Sequence, residues 1–398
     1  MSDSLKTRSP EDEAAESGFY LFSGGPFYRM ARRLGLASGE DSLSRIGVFV
    51  ALATWVPLLI LTLAHQFTSG GVAKSFFLSI GTHVRFLVAI PLFFAVEAWS
   101  GPRLRSFVGN LVETGIVSPG EVGALREAQD AAMRRRDSWI GEAAILVLTI
   151  ATLLAGIRTD VTGAASSWRI SGSAGSPAGW WYAAVAMPVF QFLLWRWGWR
   201  VVIWTLFLRR VSRLNLQLMP THPDLCGGLG YGAIAQIYIS AISIAVSAVL
   251  ASSAAETILE SGIIPPSFLP LVLGVTVINF VIFLGPMLFF MMRMFEVKRR
   301  GYREYGILAS NYARKFDEKW VHGTSPPADP LLGTSDIQSL ADLGNGFTIV
   351  RNMRIVPFGI GIVANLMAFS IVPMLPLFLF KFSIDEIMTK IARLLLGM

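Results

Sequence analysis

The stretch FLPLVLGVTVINFVIFLGPMLFFMM, Phe268 to Met292, decides the fold. It runs 25 residues without a charged side chain. A helix of about 20 apolar residues, rising 1.5 Å at each, covers the roughly 30 Å of hydrocarbon in a bilayer. Six more such blocks flank it: Ile46–Ala64, Phe76–Trp99, Trp139–Ile157, Trp180–Arg210, Gly232–Ala255 and Ile355–Phe380. Together they predict an all-α polytopic transmembrane helix bundle of seven spans. The fourth is longer than the bilayer is thick and is expected to tilt or protrude. Five of the seven carry internal prolines: Pro57, Pro91, Pro188, Pro286, and Pro373 with Pro376. Membrane helices tolerate these because neighbouring helices and hydroxyl side chains satisfy the freed carbonyls.

Composition agrees. Of 398 residues 53% are hydrophobic and 15% charged, with mean hydropathy +0.55; soluble domains carry about 25% charged residues. The net charge of +7 sits in the loops between apolar blocks, so the expected partner is a lipid bilayer and not a nucleic acid. Cys226 is the only cysteine, which excludes an intrachain disulfide. The first 45 residues are too polar and too long for a cleavable signal, so the first block is expected to stay as an anchor. Arginine greatly outnumbers lysine and Ala and Gly are abundant, a compositional hint of a GC-rich bacterium.

Orientation follows from the basic residues. Of 34 lysines and arginines, 25 fall in the N-terminal tail and the 99–138, 209–231 and 293–354 loops. Six fall on the other side and three inside spans. The positive-inside rule then places the N-terminus in the cytoplasm. Seven spans put the C-terminus outside, unless Pro373 and Pro376 turn the last block into a re-entrant hairpin.

Residues 1–20 are acidic and polar and read as disordered. Residues 23–34 form an amphipathic surface helix with Phe27, Met30 and Leu34 on one face. In the 99–138 loop, Leu104, Phe107, Val108, Leu111 and Val112 recur at helical spacing, and Ser118 to Glu121 is a capping box for a helix reaching Arg136. The 158–178 loop is Ser/Gly-rich and flexible. The 293–354 segment begins as a charged extension of the sixth span and breaks at Pro326-Pro327; Ser335 then caps a short helix ending at Gly344. Ser383 to Glu386 caps an amphipathic C-terminal helix.

Charge inside the hydrocarbon is the sharpest candidate for chemistry. His83 and Arg85 lie in the second span, Arg85 near mid-depth. Arg196 and Arg200 lie in the fourth, on one face at i,i+4 spacing. A central arginine costs at least roughly 2.5–3.5 kcal/mol. The acids within the spans are Glu97 and Glu142, near the cytoplasmic end. Three arginines against two glutamates leave positive charge over, which suggests an anion site or pathway. The structural alternative has Arg200 snorkelling or pairing with Glu97 or Glu142, and Arg85 bonding helix carbonyls.

A second candidate is the turn 219–232, MPTHPDLCGGLGYG. His222, Asp224 and Cys226 alternate, but soft Cys with hard Asp fits no common zinc set, so no metal is expected. The glycines Gly227, Gly228 and Gly230 precede a helix start and could form an anion nest. The favoured reading is a rigid turn that Asp224 caps. Third, Gln236, Ser240, Ser243, Ser247, Asn279 and Asn365 are polar positions in later spans, read as helix-packing contacts. No nucleophile–base pair, zinc-protease pattern or haem-ligand set is visible, and no cofactor is expected.

Several stretches together resemble a family of uncharacterised bacterial multi-spanning membrane proteins. They are residues 24–29 (GGPFYR) with 32–36 (RRLGL), 83–87 (HVRFL), 220–224 (PTHPD) with 227–230 (GGLG), and 335–343 (SDIQSLADL). The resemblance implies the bundle fold and a bacterial inner membrane, and carries over no activity or site. Two functions stay open. One is binding or conduction of an anion or anionic solute along His83, Arg85, Arg196 and Arg200. The other is a non-transporting scaffold or sensor holding a soluble partner on its cytoplasmic loops. An enzyme is the third choice.

Overall fold

A computed structural model describes residues 19, 21, 42–69, 73–162, 168–171, 174–323 and 335–381. The helices anticipated at 23–34 and 383–395, and Pro326-Pro327, lie outside these. The chain is an all-α polytopic membrane protein. Among the described residues six helices are long and apolar enough to cross a membrane. In chain order the helices are α1 (Ser42–Ser69), α2 (Ile80–Glu113), α3 (Val122–Arg136), α4 (Trp139–Thr162), α5 (residues 177–211), α6 (Gly230–Leu259), α7 (Leu269–Val321), α8 (Ser335–Asn352) and α9 (Ile360–Phe380). A two-residue ladder, β1 (Ile170–Ser171) with β2 (Ala174–Gly175), closes a small hairpin before α5.

The expected fourth span is α5, and it is not among the six. Arg196, Arg200, Arg209 and Arg210 with four tryptophans keep its Met187–Val211 stretch too polar. It nonetheless runs the length of the bundle. Its first turns meet Trp168 and Arg85; its last residues lead to Leu216, which bridges to Val117. Three of its indole N–H groups bond to other helices inside the bundle. The indole N–H of Trp181 donates to Thr54 O on α1, that of Trp197 to Phe93 O on α2, and that of Trp204 to Gln236 Oε1 on α6. Trp199 packs onto Gly141 of α4, where a Cβ would sit 2.8 Å from the indole nitrogen. Helix α5 is therefore the hub, with α2 and α6 beside it. Half of the apolar window of α2 and of α6 is buried, against 17% for α4. The exposed faces of α1, α4 and α7 are apolar, as with Phe49, Val147 and Val281, which is what lipid contact requires.

The prolines leave their mark. A π-turn at Val84–Ala89 precedes Pro91, and another at Tyr182–Ala186 precedes Pro188. Tight 3₁₀ turns hold Pro286 and the Pro373/Pro376 pair. Each is the helix adjusting to a missing N–H and a ring that crowds the carbonyl four residues back. The last block does not reverse. It runs from Met353, beside the 219–230 turn, to Phe380, whose neighbour Lys381 bonds Pro266 O. The re-entrant alternative is thereby corrected.

The described residues of the 99–138, 209–231 and 293–354 segments converge at one end of the bundle, the basic end. Gln217 N donates to Ile116 O, Arg354 N to Leu225 O, and Gly301 packs on Pro220. Other expectations change in detail. The amphipathic helix at 104–112 is the continuation of α2. Ser118 makes no side-chain cap; Pro119–Glu121 forms a 3₁₀ turn ahead of α3 instead. Helix α8 does not stop at Gly344 but continues to Asn352, because Phe347 and Val350 pack on Tyr302 and Gly301 of α7. Phe19, expected in a disordered tail, is buried with its ring 4.6 Å from that of Phe207.

Candidate functional site

The arginines within the bundle form two separate networks. The first centres on Glu97, which is 3% exposed. Its oxygens lie 2.6 and 2.8 Å from the Arg200 guanidinium, a two-point grip, and 3.8 Å from Arg196. The i,i+4 spacing delivers both arginines to one face of α5, the face that also buries Leu193, Trp197 and Trp204. Glu142, on α4, adds negative charge near Arg196. Two cations thus face Glu97 inside the bundle, with Glu142 close enough to act on Arg196.

The second network lies toward the opposite end. Ser79 breaks the helix before Ile80, so Arg85 stands in the second turn of α2. Arg85 Nη1 donates to Tyr182 Oη at 3.1 Å and Nη2 to Ser253 Oγ at 2.8 Å. Arg169 stacks over Tyr182, 4.3 Å from the ring centre, and lies 3.9 Å from Glu256 Oε1. Gly81 leaves the room these groups share: a Cβ there would clash with Glu256 Oε2 and sit 3.7 Å from Arg85 Nη1. Arg85 and Glu97 are twelve residues apart on α2, about 18 Å along the axis.

Glu256 corrects the charge count. The span expected at Gly232–Ala255 stops short of it, but α6 extends past Ala255 and buries it. A carboxylate in the sequence Ser-Ala-Ala-Glu-Thr, at the end of a run of small residues, was the available signal. Arg169 was placed in a flexible loop, yet Trp168 donates to Ser79 Oγ and Ser176 Oγ to Trp168 O, fixing that loop on the bundle.

His83 serves packing. Trp55 Nε1 donates to its Nδ1 at 2.9 Å, which leaves Nε2–H to donate to Phe76 O at 3.1 Å.

The turn at 219–230 is held by Asp224. Its carboxylate accepts from the amides of Cys226, Gly228 and Gly230, and Gly230 opens α6. His222 Nδ1 lies 2.8 Å from Oδ1 and donates to it. Burial pushes the carboxyl pKa up, but the three amides and His222 outweigh it and hold Asp224 below the usual carboxylate range. Two of the amides that could have formed an anion nest, those of Gly228 and Gly230, are thus taken by the chain's own carboxylate. Gly227 and Gly228 have φ of +68° and +100°, which glycine adopts without strain. Leu225 is also left-handed at φ 57°, and the Arg354 amide caps its carbonyl. Burial first, then the Asp224 charge, raises the Cys226 thiol.

The later polar positions divide. Gln236 Nε2 donates to Phe283 O, and Asn279 Nδ2 to Ser370 Oγ, both between helices. Asn365 bonds its own helix at Gly361 O. Among the described residues no group of three or more His, Cys, Asp or Glu is placed to hold a metal. Comparisons with protein-family models, with curated proteins and with solved structures find no match for this chain.

Proposed function

We propose that this protein is a non-transporting component of a bacterial inner membrane that holds a soluble protein partner on its cytoplasmic face. The observation that carries this reading is the hairpin of α7 and α8. Helix α7 is a 53-residue run, about 80 Å long at 1.5 Å per residue, against roughly 30 Å of hydrocarbon. The part beyond Met292 is charged, and α8 folds back along it. At the far end Asp336 accepts from Lys319 Nζ and Trp320 Nε1, and Tyr312 Oη donates to its carbonyl. This hairpin leaves Ile307, Leu308 and Val321 exposed at 58, 53 and 64%. Large apolar side chains on a thin charged hairpin are what a protein-binding surface offers. The asymmetry of lysine and arginine puts this end in the cytoplasm.

Anion conduction is the weaker reading. Arg196 and Arg200 share Glu97, and the Arg85 donors are engaged by the Tyr182 and Ser253 hydroxyls, so these guanidinium groups already have partners within the bundle. A photo-crosslinking residue at Leu308 of the full chain, in native membranes, tests the proposal. The expected product is an adduct of one discrete mass with a soluble protein, absent when the probe stands at lipid-facing Val277. Adducts with lipid alone at both positions would overturn it.

A further inference from the structure

Where α7 leaves its apolar run, one face of the helix turns basic. Arg293, Arg300 and Arg303 follow at i, i+7 and i+10, with Glu296 between them and Arg299 at the flank. Opposite runs the extended segment Asn215–Leu218, held in place by the Leu216–Val117 bridge and the bond from Gln217 N to Ile116 O. Helix face and segment enclose a cavity of about 510 Å³. Its floor is apolar, from Leu216, Leu218 and Val297, and its wall carries four guanidinium groups against one carboxylate. Among the described residues none of these four arginines has a hydrogen-bond or ion-pair partner. They differ in this from Arg85, Arg196 and Arg200.

Four like charges along eleven residues repel one another unless an anion answers them. Guanidinium groups present forked donors that match phosphate oxygens two at a time. Arg293 directly follows Met292, the last residue of the apolar run, so the cavity sits at headgroup depth. Its volume exceeds that of bare phosphate and suits a phosphate ester with its organic part over the apolar floor.

We propose that this cavity is a binding site for a phosphate-bearing ligand, held by Arg293, Arg300 and Arg303 with Arg299 at the rim. The ester is an anionic phospholipid headgroup or a soluble phosphate compound; the chemistry is common to both. The site is independent of the partner surface proposed above, which lies farther along the hairpin.

The test uses the full chain in detergent. Phosphatidylglycerol retention is read by native mass spectrometry against phosphatidylcholine, and pyrophosphate binding by calorimetry in lipid-free micelles. The Arg293→Ala/Arg300→Ala variant is compared with Arg314→Ala/Lys315→Ala, which removes the same charge about 30 Å farther along the helix. Both pairs are exposed, so folding is expected to survive, and the melting temperature checks this. The wild type is expected to bind at least one probe, and the pocket variant at least tenfold more weakly, with the control unchanged. Selective retention of phosphatidylglycerol without pyrophosphate binding assigns the lipid as source; pyrophosphate binding assigns a soluble ester. Equal loss in both variants, or binding of neither probe by the wild type, overturns the proposal.

Discussion

Glu97 holds Arg200 with both carboxylate oxygens, at 2.6 and 2.8 Å, in the middle of a helix bundle. A buried pair of this kind is costly to break from one side, because the partner stays charged and loses its counter-ion. Glu97→Gln leaves Arg196 and Arg200 facing each other. It is expected to destabilise the bundle by about 3–5 kcal/mol. Replacing all three by apolar residues of similar volume (Glu97→Leu, Arg196→Leu, Arg200→Met) should restore most of that loss, since the pair contributes little net stability over good packing. Unfolding in mixed micelles measures both; a triple variant no more stable than Glu97→Gln would show that the ion cluster contributes net stability that apolar packing does not replace.

Asp224 organises the turn at the basic end through the amides of Cys226, Gly228 and Gly230. Its pKa is depressed in the folded chain, so its contribution is present above the unfolded value of about 3.9 and disappears as pH falls through the lower folded one. Hydrogen exchange at these three amides, corrected for intrinsic rates, should show constant protection from pH 8 to pH 5 and a loss only in stronger acid. Asp224→Ala should lose protection at every pH, at a cost of about 0.5–2 kcal/mol, the range for a removed helix cap.

Cys226 reports on the same turn. It is the only cysteine, it is buried, and its thiol is raised by burial and the Asp224 charge. Maleimide labelling at pH 7.5 should be at least tenfold slower in the folded chain than after denaturation. Asp224→Ala should speed it; labelling of the native chain as fast as the denatured one would contradict the geometry.

Gly301 sets how closely α7 approaches the 219–230 turn. A Cβ there would meet the Pro220 ring at 2.5 Å, and a proline ring cannot swing aside. Gly301→Ala is expected to cost about 1–3 kcal/mol by overpacking. Faster proteolysis of the α7–α8 hairpin would show the base of the hairpin loosening; unchanged proteolysis and stability would mean the approach is not that tight.

The apolar blocks were plain in the sequence because a membrane span is a signal of length and composition, and Phe268–Met292 could hardly be anything else. Helix α5 shows the limit of that signal. Its tryptophans and arginines lower its hydropathy, and only their partners on α1, α2, α4 and α6 explain why it can lie inside. The Glu97–Arg200 contact was among the alternatives at sequence level, since both sit on helical faces toward one end. Arg169 and Glu256 were not, because pairing between a loop and a helix end depends on where Trp168 and Ser79 lock together. The four arginines of the cavity were counted as loop charge. Their gathering on one face shows only once the extended segment Asn215–Leu218 is seen opposite them.

The measurement that tests the account most directly is anion flux through the full chain in proteoliposomes, with chloride, phosphate and small carboxylates as probes. The account, in which the arginines of the bundle are structural and the working surfaces lie outside it, predicts flux no greater than in empty liposomes. Wild-type flux that is lost in a folded Arg85→Ala/Arg196→Ala variant would contradict it and return the arginines to an anion pathway.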